Sequence, residues 1–181
     1  MTMLPEASPS QAANPKESLP AHGKYLNFLL GDEHYSLPLT KVREIIRILP
    51  ITAVPCMPAH VLGVINLRGK IVPVMDLRQR LLLKPAPELE RACIIVIQAS
   101  SESSLIGLLV DVVEEVASIN PEAIEPAPDF GSELDLRFIL GLAKSDHSVI
   151  TVLDIDALLA ADPAELLLSD LAAISAEPSG P

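Results

Sequence analysis

The sequence predicts an all-β fold, a barrel or sandwich built from about ten short strands. The apolar content is 49%, but aromatic residues make up only 3% and tryptophan is absent, so the core must consist of Val, Ile and Leu, which favour strands. The 17 prolines lie mostly in the tails and between short apolar runs. Prolines at this spacing are typical of short strands joined by turns rather than of a helical bundle.

The first predicted element is a hairpin whose strands, residues 25–30 and 34–39, flank a turn at Gly31-Asp32. After the hairpin, Thr40 can cap a short helical turn, because apolar side chains recur there at helical spacing. The side chains expected on the inner face of that turn are Val42, Ile45 and Ile46.

A second hairpin is predicted around Arg68-Gly69, with strands at residues 61–67 and 71–75. Gly69 suits a tight turn because glycine adopts positive φ without steric cost. Arg68 would lie at the tip between two buried strands, where the scaffold positions its guanidinium. That group offers five donors in a fixed fork and suits a carboxylate or the backbone carbonyls of a partner. The alternative is an ordinary solvated arginine in a turn.

The remaining strands are predicted from apolar runs separated by polar turns. Residues 92–98 and 105–110 form one pair and residues 138–143 and 148–153 form the last hairpin, whereas residues 112–119 fit either a strand or a helix. Short helices are expected after two aspartates that can act as N-caps, and near the C-terminal end. The aspartates are Asp76 and Asp154, and the C-terminal helix is predicted over residues 161–174, with Asp162 as its cap and Pro163 at its first position.

An internal duplication indicates two related subdomains. Residues 35–45 align with residues 106–116, and residues 72–77 align with residues 150–155, in the same order and at nearly the same offset. Chance similarity between apolar strands is the alternative, and whether strands exchange between the subdomains is open. The expected division is a disordered leader at 1–23, a domain at 24–160 with subdomains at about 24–88 and 89–160, and a disordered tail at 175–181.

Charge is unevenly distributed over the chain. Residues 24–91 carry ten basic and six acidic side chains, a net charge of +4, whereas residues 92–181 carry two basic and sixteen acidic ones, a net charge of −14. This balance argues against nucleic acid as a partner. The sequence contains neither a secretory signal nor an apolar stretch of about 20 residues, so we expect no direct insertion into a membrane.

Residues with the chemistry of an active site are few. Cys56 and His60 lie four residues apart, but a zinc site needs about four ligands and a nucleophilic pair needs a third, orienting group. Cys56 and Cys93 are therefore expected to be free, buried thiols. We predict no catalytic residue, no metal site and no cofactor, and a small enzyme is only a remote alternative.

Six motifs in a single order resemble the CheW family, the adaptors of bacterial chemotaxis. The most specific is GVINLRGKIVPVMDLR at residues 63–78, which contains the sequence NLRG at residues 66–69. The others are the opening at residues 25–46 with its V-R-E-I sequence, the G-L-L-V-D-V-V block at 107–113, the I-E-P-A-P loop at 124–128, G-L-A at 141–143 and V-L-D-I at 152–155.

The resemblance implies two small SH3-like five-stranded barrels packed together, without catalysis. It implies two partners, the cytoplasmic tip of methyl-accepting chemoreceptors and the regulatory domain of the histidine kinase CheA, and hence a cytoplasmic location at membrane-bound receptor arrays. The same adaptor fold in a parallel chemosensory pathway, for surface motility or another output, is the alternative. The residues that carry over are Arg68, Asn66, Val42, Glu44 and Ile45 for receptor binding, and Phe130 and Glu125 for contacts with the kinase within the array.

Overall fold

The computed structural model describes residues 23–84, 90–99, 104–128 and 136–160. These residues form eleven strands and two short helices, α1 (Leu77–Arg80) and α2 (Ile155–Ala160), which confirms the all-β prediction. The strands are β1 (Gly23–Leu30), β2 (Glu33–Pro38), β3 (Val42–Arg47), β4 (Val61–Leu67), β5 (Lys70–Asp76), β6 (Cys93–Gln98), β7 (Leu105–Val110), β8 (Val112–Ile119), β9 (Ile124–Glu125), β10 (Ile139–Lys144) and β11 (Val149–Leu153).

The strands are arranged in two sheets. The six-stranded sheet has the order β8-β1-β2-β11-β10-β9, and the five-stranded sheet has the order β3-β6-β7-β5-β4. Each sheet takes strands from both of the predicted ranges, 24–88 and 89–160: the β1–β2 hairpin lies in the six-stranded sheet, whereas β6 and β7 lie in the five-stranded one. Strands are therefore exchanged between the two halves of the chain.

The strand order has the symmetry of the internal duplication. The duplication matches the first-half strands with second-half strands in chain order, namely β1 with β6, β2 with β7, β3 with β8, β4 with β10 and β5 with β11. If every strand is exchanged for its match, the order of one sheet becomes the order of the other, and only β9 has no match. The register agrees as well. Val152 of β11 lies opposite Ser36 of β2 in a parallel pair, and the residues aligned with them, Val74 and Gly107, lie opposite each other in the parallel pair β5–β7.

Two glycines occupy equivalent places in this duplicated pattern. The register shifts between Val61 and Gly63 in the β4–β5 pair, and between Ile139 and Gly141 in the β10–β11 pair. A Cβ atom on Gly63 would lie 2.1 Å from the carbonyl oxygen of Thr52, and one on Gly141 would lie 2.5 Å from the carbonyl oxygen of Glu125. Only glycine fits where another backbone segment approaches so closely, at a bulge.

Buried side chains form three clusters. The largest combines side chains from both sheets and both helices and packs the sheets together, whereas each of the two smaller ones draws on one sheet. Strand β6 shows the alternation: Ile95 and Ile97 belong to the shared cluster, and Ile94 and Val96 belong to the cluster of the five-stranded sheet. All four are fully buried, so this central strand is covered on both faces.

The prediction of a helical turn after Thr40 is wrong. Residues 42–47 form strand β3, which pairs with β6, and only Leu39–Lys41 form a single 3₁₀ turn, without a side-chain cap from Thr40. The β-branched side chains of this segment favour a strand once a partner strand is available. Pairing also decides the ambiguous residues 112–119, which form strand β8 beside β1.

Both predicted aspartate caps are confirmed. The Asp76 carboxylate accepts a 3.0 Å hydrogen bond from the backbone N–H of Arg78, and Asp154 accepts one of 3.0 Å from Ala157. The prediction of two buried thiols is wrong for Cys56, which lies exposed in a turn with φ of 64°, and Cys93 is only partly buried.

Several predicted elements lie outside the described residues. These are residues 1–22 of the leader predicted at 1–23, the C-terminal helix at 161–174 and the tail at 175–181. The last residue of the predicted leader, Gly23, is instead the first residue of β1. Among the helices of the described part of the chain, none is long and apolar enough to cross a membrane.

Candidate functional site

The candidate site is built on the turn between β4 and β5. Leu67 and Lys70 are paired, so the loop consists of Arg68 and Gly69 alone, with φ of 51° and 84°. Two consecutive positive φ angles are typical of the type I′ turn, whose twist matches that of the flanking strands. The Asn66 side chain accepts a 2.8 Å hydrogen bond from the backbone N–H of Gly69, which fixes the turn from inside.

Arg68 binds Glu44 of β3 through two parallel hydrogen bonds. Its Nη1 donates to Oε1 at 2.7 Å and its Nη2 donates to Oε2 at 2.6 Å, a bidentate geometry that holds both planes in register. The Arg68 side chain is 74% exposed, whereas the Glu44 side chain is 27% exposed. The guanidinium is therefore presented at the surface in a defined orientation. Arg68 differs from an ordinary solvated arginine in a turn, the alternative considered from the sequence, because it has a specific intramolecular partner.

The electrostatics of the pair follow from this geometry. The hydrogen bonds from Arg68 hold the pKa of Glu44 below its ordinary value, against a smaller opposing effect of desolvation. The same bonds raise the pKa of Arg68. Both groups are therefore charged at neutral pH, and the pair presents a fixed dipole to a partner.

The Arg68–Glu44 pair also connects the two edges of the five-stranded sheet. Strands β3 and β4 are at opposite ends of the strand order, yet the tip of the β4–β5 hairpin reaches Glu44 on β3. A second connection is the isolated bridge between Thr52 and Val64, whose two backbone hydrogen bonds are both 2.9 Å long. The hairpin tip therefore contacts the opposite edge strand of its own sheet, and β4 pairs at one position with the chain that follows β3.

Val42, Glu44 and Ile45, three of the residues predicted for receptor binding, lie on β3, and Glu44 contacts the Arg68 turn. The side chain of Ile45, the next residue along the strand, points to the opposite face of β3. Val42 is partly buried and packs against the shared core cluster, so it supports the strand. Ile45 is 43% exposed, one of the few large apolar side chains at the surface of the described residues. Arg68, Glu44 and Asn66 are linked by hydrogen bonds or by the turn itself.

The two residues predicted for array contacts are not part of this site. Glu125 lies on β9 of the six-stranded sheet, and its Oε1 accepts a 3.1 Å hydrogen bond from Lys144 Nζ. Both side chains are well exposed, so the pair is available at the surface. Phe130 lies outside the described residues.

A second ion pair, which sequence reasoning missed, joins the two sheets. Arg78 of α1 is only 8% exposed and binds the Asp111 carboxylate through Nε, at 2.8 Å, and through Nη2. Asp111 also accepts a 2.6 Å hydrogen bond from Gly31 N–H in the β1–β2 turn. The signal was present, because Arg78 ends the GVINLRGKIVPVMDLR motif and Asp111 belongs to the G-L-L-V-D-V-V block.

Among the residues that the structure describes, no group of three or more His, Cys, Asp and Glu side chains is placed to hold a metal ion. What the site does offer is a rigid, charged hairpin tip bound to an edge strand, β3, which also carries the exposed aliphatic side chain of Ile45. Oriented charge-assisted donors and exposed apolar side chains are both common in surfaces by which one protein recognises another. The fold and site thus define a protein-binding module.

Comparison with known proteins identifies the family. The model of the CheW-like domain matches residues 24–162. The probable chemotaxis protein CheW of Rhizobium etli is 40% identical over 131 residues, which cover 72% of this chain and 83% of that protein. The chemotaxis protein CheW of Rhizobium meliloti is 36% identical over 138 residues, 76% of this chain and 88% of that protein.

A solved structure agrees with these relatives. The crystal structure of the scaffolding protein TtCheW from Thermoanaerobacter tengcongensis superposes with a TM-score of 0.72 at 34% identity, covering 81% of this chain and 98% of that one. The chain belongs to the CheW-like family. Its class is that of a scaffolding adaptor in chemotaxis signalling rather than an enzyme.

Proposed function

We propose that this adaptor joins the cytoplasmic tip of a methyl-accepting chemoreceptor to the regulatory domain of a CheA-type histidine kinase. It does so without catalysis, in the cytoplasm at membrane-bound receptor arrays. The observation that carries the proposal is the bidentate pair of Arg68 with Glu44, which holds a charged tip against β3, the edge strand that also carries the half-exposed Ile45. An apolar edge with oriented polar groups suits a helix from a receptor hairpin.

The receptor face consists of residues with different tasks. Arg68 and Ile45 make the direct contacts, because they are the exposed charged and apolar groups. Glu44 orients the guanidinium, Asn66 fixes the turn, and Val42 anchors β3 in the core. Because the tip is held in place before binding, little conformational entropy is lost on association.

The kinase face lies on the six-stranded sheet. Glu125 and Lys144 form an exposed pair there, and Phe130 follows β9 by five residues. Exposed charged side chains are typical of the rim of an interface, and aromatic residues are enriched in its core. Receptor and kinase would then contact different sheets, so the adaptor can hold both at once.

A pull-down with a purified receptor cytoplasmic fragment and a CheA regulatory domain tests both faces. Arg68→Glu is expected to lose receptor binding by at least about tenfold and to keep kinase binding, because a repulsive charge replaces an oriented donor. Glu125→Lys is the matched charge reversal on the other face and is expected to weaken kinase binding alone. Receptor binding that survives Arg68→Glu unchanged would refute the assignment of the receptor face, and wild-type protein that binds neither partner would refute the function.

A further inference from the structure

Three buried side chains with polar atoms lie on one face of the six-stranded sheet. Tyr25 and Ser36 are fully buried, and Asn27 is 6% exposed. Asn27 of β1 is directly opposite Ser36 of β2, so their side chains are on the same face, and Tyr25, two residues before Asn27, is on that face too. On its other side Ser36 is opposite Val152 of β11, which belongs with Tyr25 to the buried cluster of this sheet.

Each of these three side chains has a polar atom without a hydrogen-bond partner among the described residues. The atoms are the Tyr25 hydroxyl, Asn27 Oδ1 and Ser36 Oγ. Burial raises the pKa of Tyr25, as expected for a phenol removed from solvent. A buried polar group without a partner is costly, and in native proteins nearly all such groups are bonded to protein or to ordered water. Three of them on one face therefore indicate a shared partner.

The matching positions in the five-stranded sheet are apolar. Because β1 matches β6 and β2 matches β7 in the duplication, the strand registers identify these positions as Ile94, Val96 and Gly107. Ile94 and Val96 are fully buried in the apolar cluster of that sheet. A Cβ atom on Gly107 would lie 2.7 Å from Cγ2 of Ile94 and 3.4 Å from Cγ2 of Val74, so methyl groups fill the space over this glycine. The polar set is thus a property of one sheet and not of the duplicated fold.

We propose that an ordered water molecule is bound on this face of the six-stranded sheet, hydrogen-bonded to Asn27, Ser36 and Tyr25. Directly opposite residues in a sheet have Cβ atoms about 4.5–5.5 Å apart, so a water molecule between Asn27 and Ser36 reaches both side chains. The water donates to Asn27 Oδ1 and to Ser36 Oγ and accepts from the Tyr25 hydroxyl. Buried water molecules typically make about three hydrogen bonds, which is the number that these groups offer.

The burial of the site favours water over a larger ligand. Tyr25, Ser36 and Val152 are all fully buried, so a larger molecule would have to displace core side chains to reach the polar atoms. The bound water connects β1 to β2 through their side chains, in addition to the backbone hydrogen bonds of the pair.

A high-resolution crystal structure of the full chain tests the proposal. We expect density for one water molecule at about 2.6–3.2 Å from both Asn27 Oδ1 and Ser36 Oγ. The matching positions, Val96 and Gly107, are the internal control and should have no water between them. The double variant Asn27→Val with Ser36→Ala makes the site apolar, as in the other sheet, and should lose the water while keeping the strand register.

Denaturant unfolding provides a second measurement in solution. Asn27→Val and Ser36→Ala remove partners of the same water molecule, so the two losses in unfolding midpoint should not add, and the double variant should lose less than their sum. Three results would overturn the proposal. They are a direct hydrogen bond between Asn27 and Ser36 in the crystal, density for a larger molecule at the site, and a wild-type map without water bonded to both side chains.

Discussion

At the scale of the residue, the β4–β5 turn explains why an exposed arginine can act as a specific group. Arg68 accepts a backbone conformation that costs a non-glycine residue about 1 kcal/mol or more, and it does so because the two-residue turn requires positive φ at both positions. Glu44 then fixes the guanidinium with two short hydrogen bonds. The resulting orientation is a property of the free protein and need not be acquired on binding.

Two glycines of the same motif differ in what they do, and this difference predicts their sensitivity. Gly63→Ala would place a Cβ atom 2.1 Å from the Thr52 carbonyl oxygen, whereas Gly69→Ala would meet nothing within 4 Å. We expect Gly63→Ala to lower the free energy of unfolding by about 3 kcal/mol, and Gly69→Ala by about 1 kcal/mol, from positive φ alone. Urea unfolding measures both. Equal losses would mean that the approach of Thr52 does not constrain Gly63.

At the scale of the element, α1 and α2 begin with the same arrangement, an aspartate cap followed by an ion pair. The second residue after each aspartate cap forms an ion pair near the end of the neighbouring parallel strand: Arg78 pairs with Asp111 after β7, and Asp156 pairs with Lys41 after β2. The charges are reversed and the surroundings differ. The Arg78 and Asp111 side chains are 10% and 14% exposed, whereas those of Lys41 and Asp156 are 34% and 62% exposed.

Burial decides what these two pairs contribute to stability. Asp111→Asn leaves a buried guanidinium without its counter-charge and weakens the link to Gly31, so we expect a loss of about 3 kcal/mol in the free energy of unfolding. Asp156→Asn breaks an exposed pair and should cost at most about 1 kcal/mol. Denaturant unfolding of the two variants provides the comparison. A loss for Asp111→Asn as small as that for Asp156→Asn would show that the junction between the sheets does not depend on this pair.

The same pair predicts a pH dependence. Burial would raise the pKa of Asp111, but hydrogen bonds from Arg78 and Gly31 outweigh it and leave that pKa below its ordinary value of 3.8. A carboxyl group with a lowered folded-state pKa stabilises the fold above its unfolded pKa, and this contribution is lost as pH falls through the folded value. The stability difference between wild type and Asp111→Asn should therefore be constant near neutral pH and shrink as pH falls below about 4. A difference that grows on acidification would contradict the assigned charge state.

Local signals were enough for some elements and not for others. The hairpins β1–β2 and β4–β5 were predicted because their apolar runs and turn residues are adjacent in sequence. Strand β3 was predicted incorrectly, since its conformation depends on β6, about fifty residues further on. The Arg68–Glu44 and Arg78–Asp111 pairs join residues 24 and 33 positions apart, and no local pattern specifies such a partner. The residues proposed for the receptor face were predicted from the family resemblance, because motifs shared by a family reflect the sum of these long-range contacts.

At the scale of the whole molecule, the duplication and the exchange of strands belong together. Central strands β2 and β7 each pair in parallel with a strand from the other half of the chain, β11 and β5 respectively. Strands β1 and β8, and strands β3 and β6, likewise pair across the two halves. Each sheet, and the core cluster between the sheets, therefore requires both halves, and the faces proposed for receptor and kinase are held by one cooperative unit.

This arrangement predicts how fragments of the domain behave. Residues 23–88 alone would contain β1 and β2 without β8 and β11, and β5 without β7, so that central strands would have unpaired backbone groups and exposed apolar faces. We expect neither residues 23–88 nor residues 89–162 to fold alone, and a mixture of the two to recover the fold. Circular dichroism and the dispersion of amide resonances distinguish these outcomes. If residues 23–88 gave a dispersed spectrum without their complement, the half would contain a complete core of its own, and the pairing across the halves would be an addition to two independent domains rather than the condition for folding.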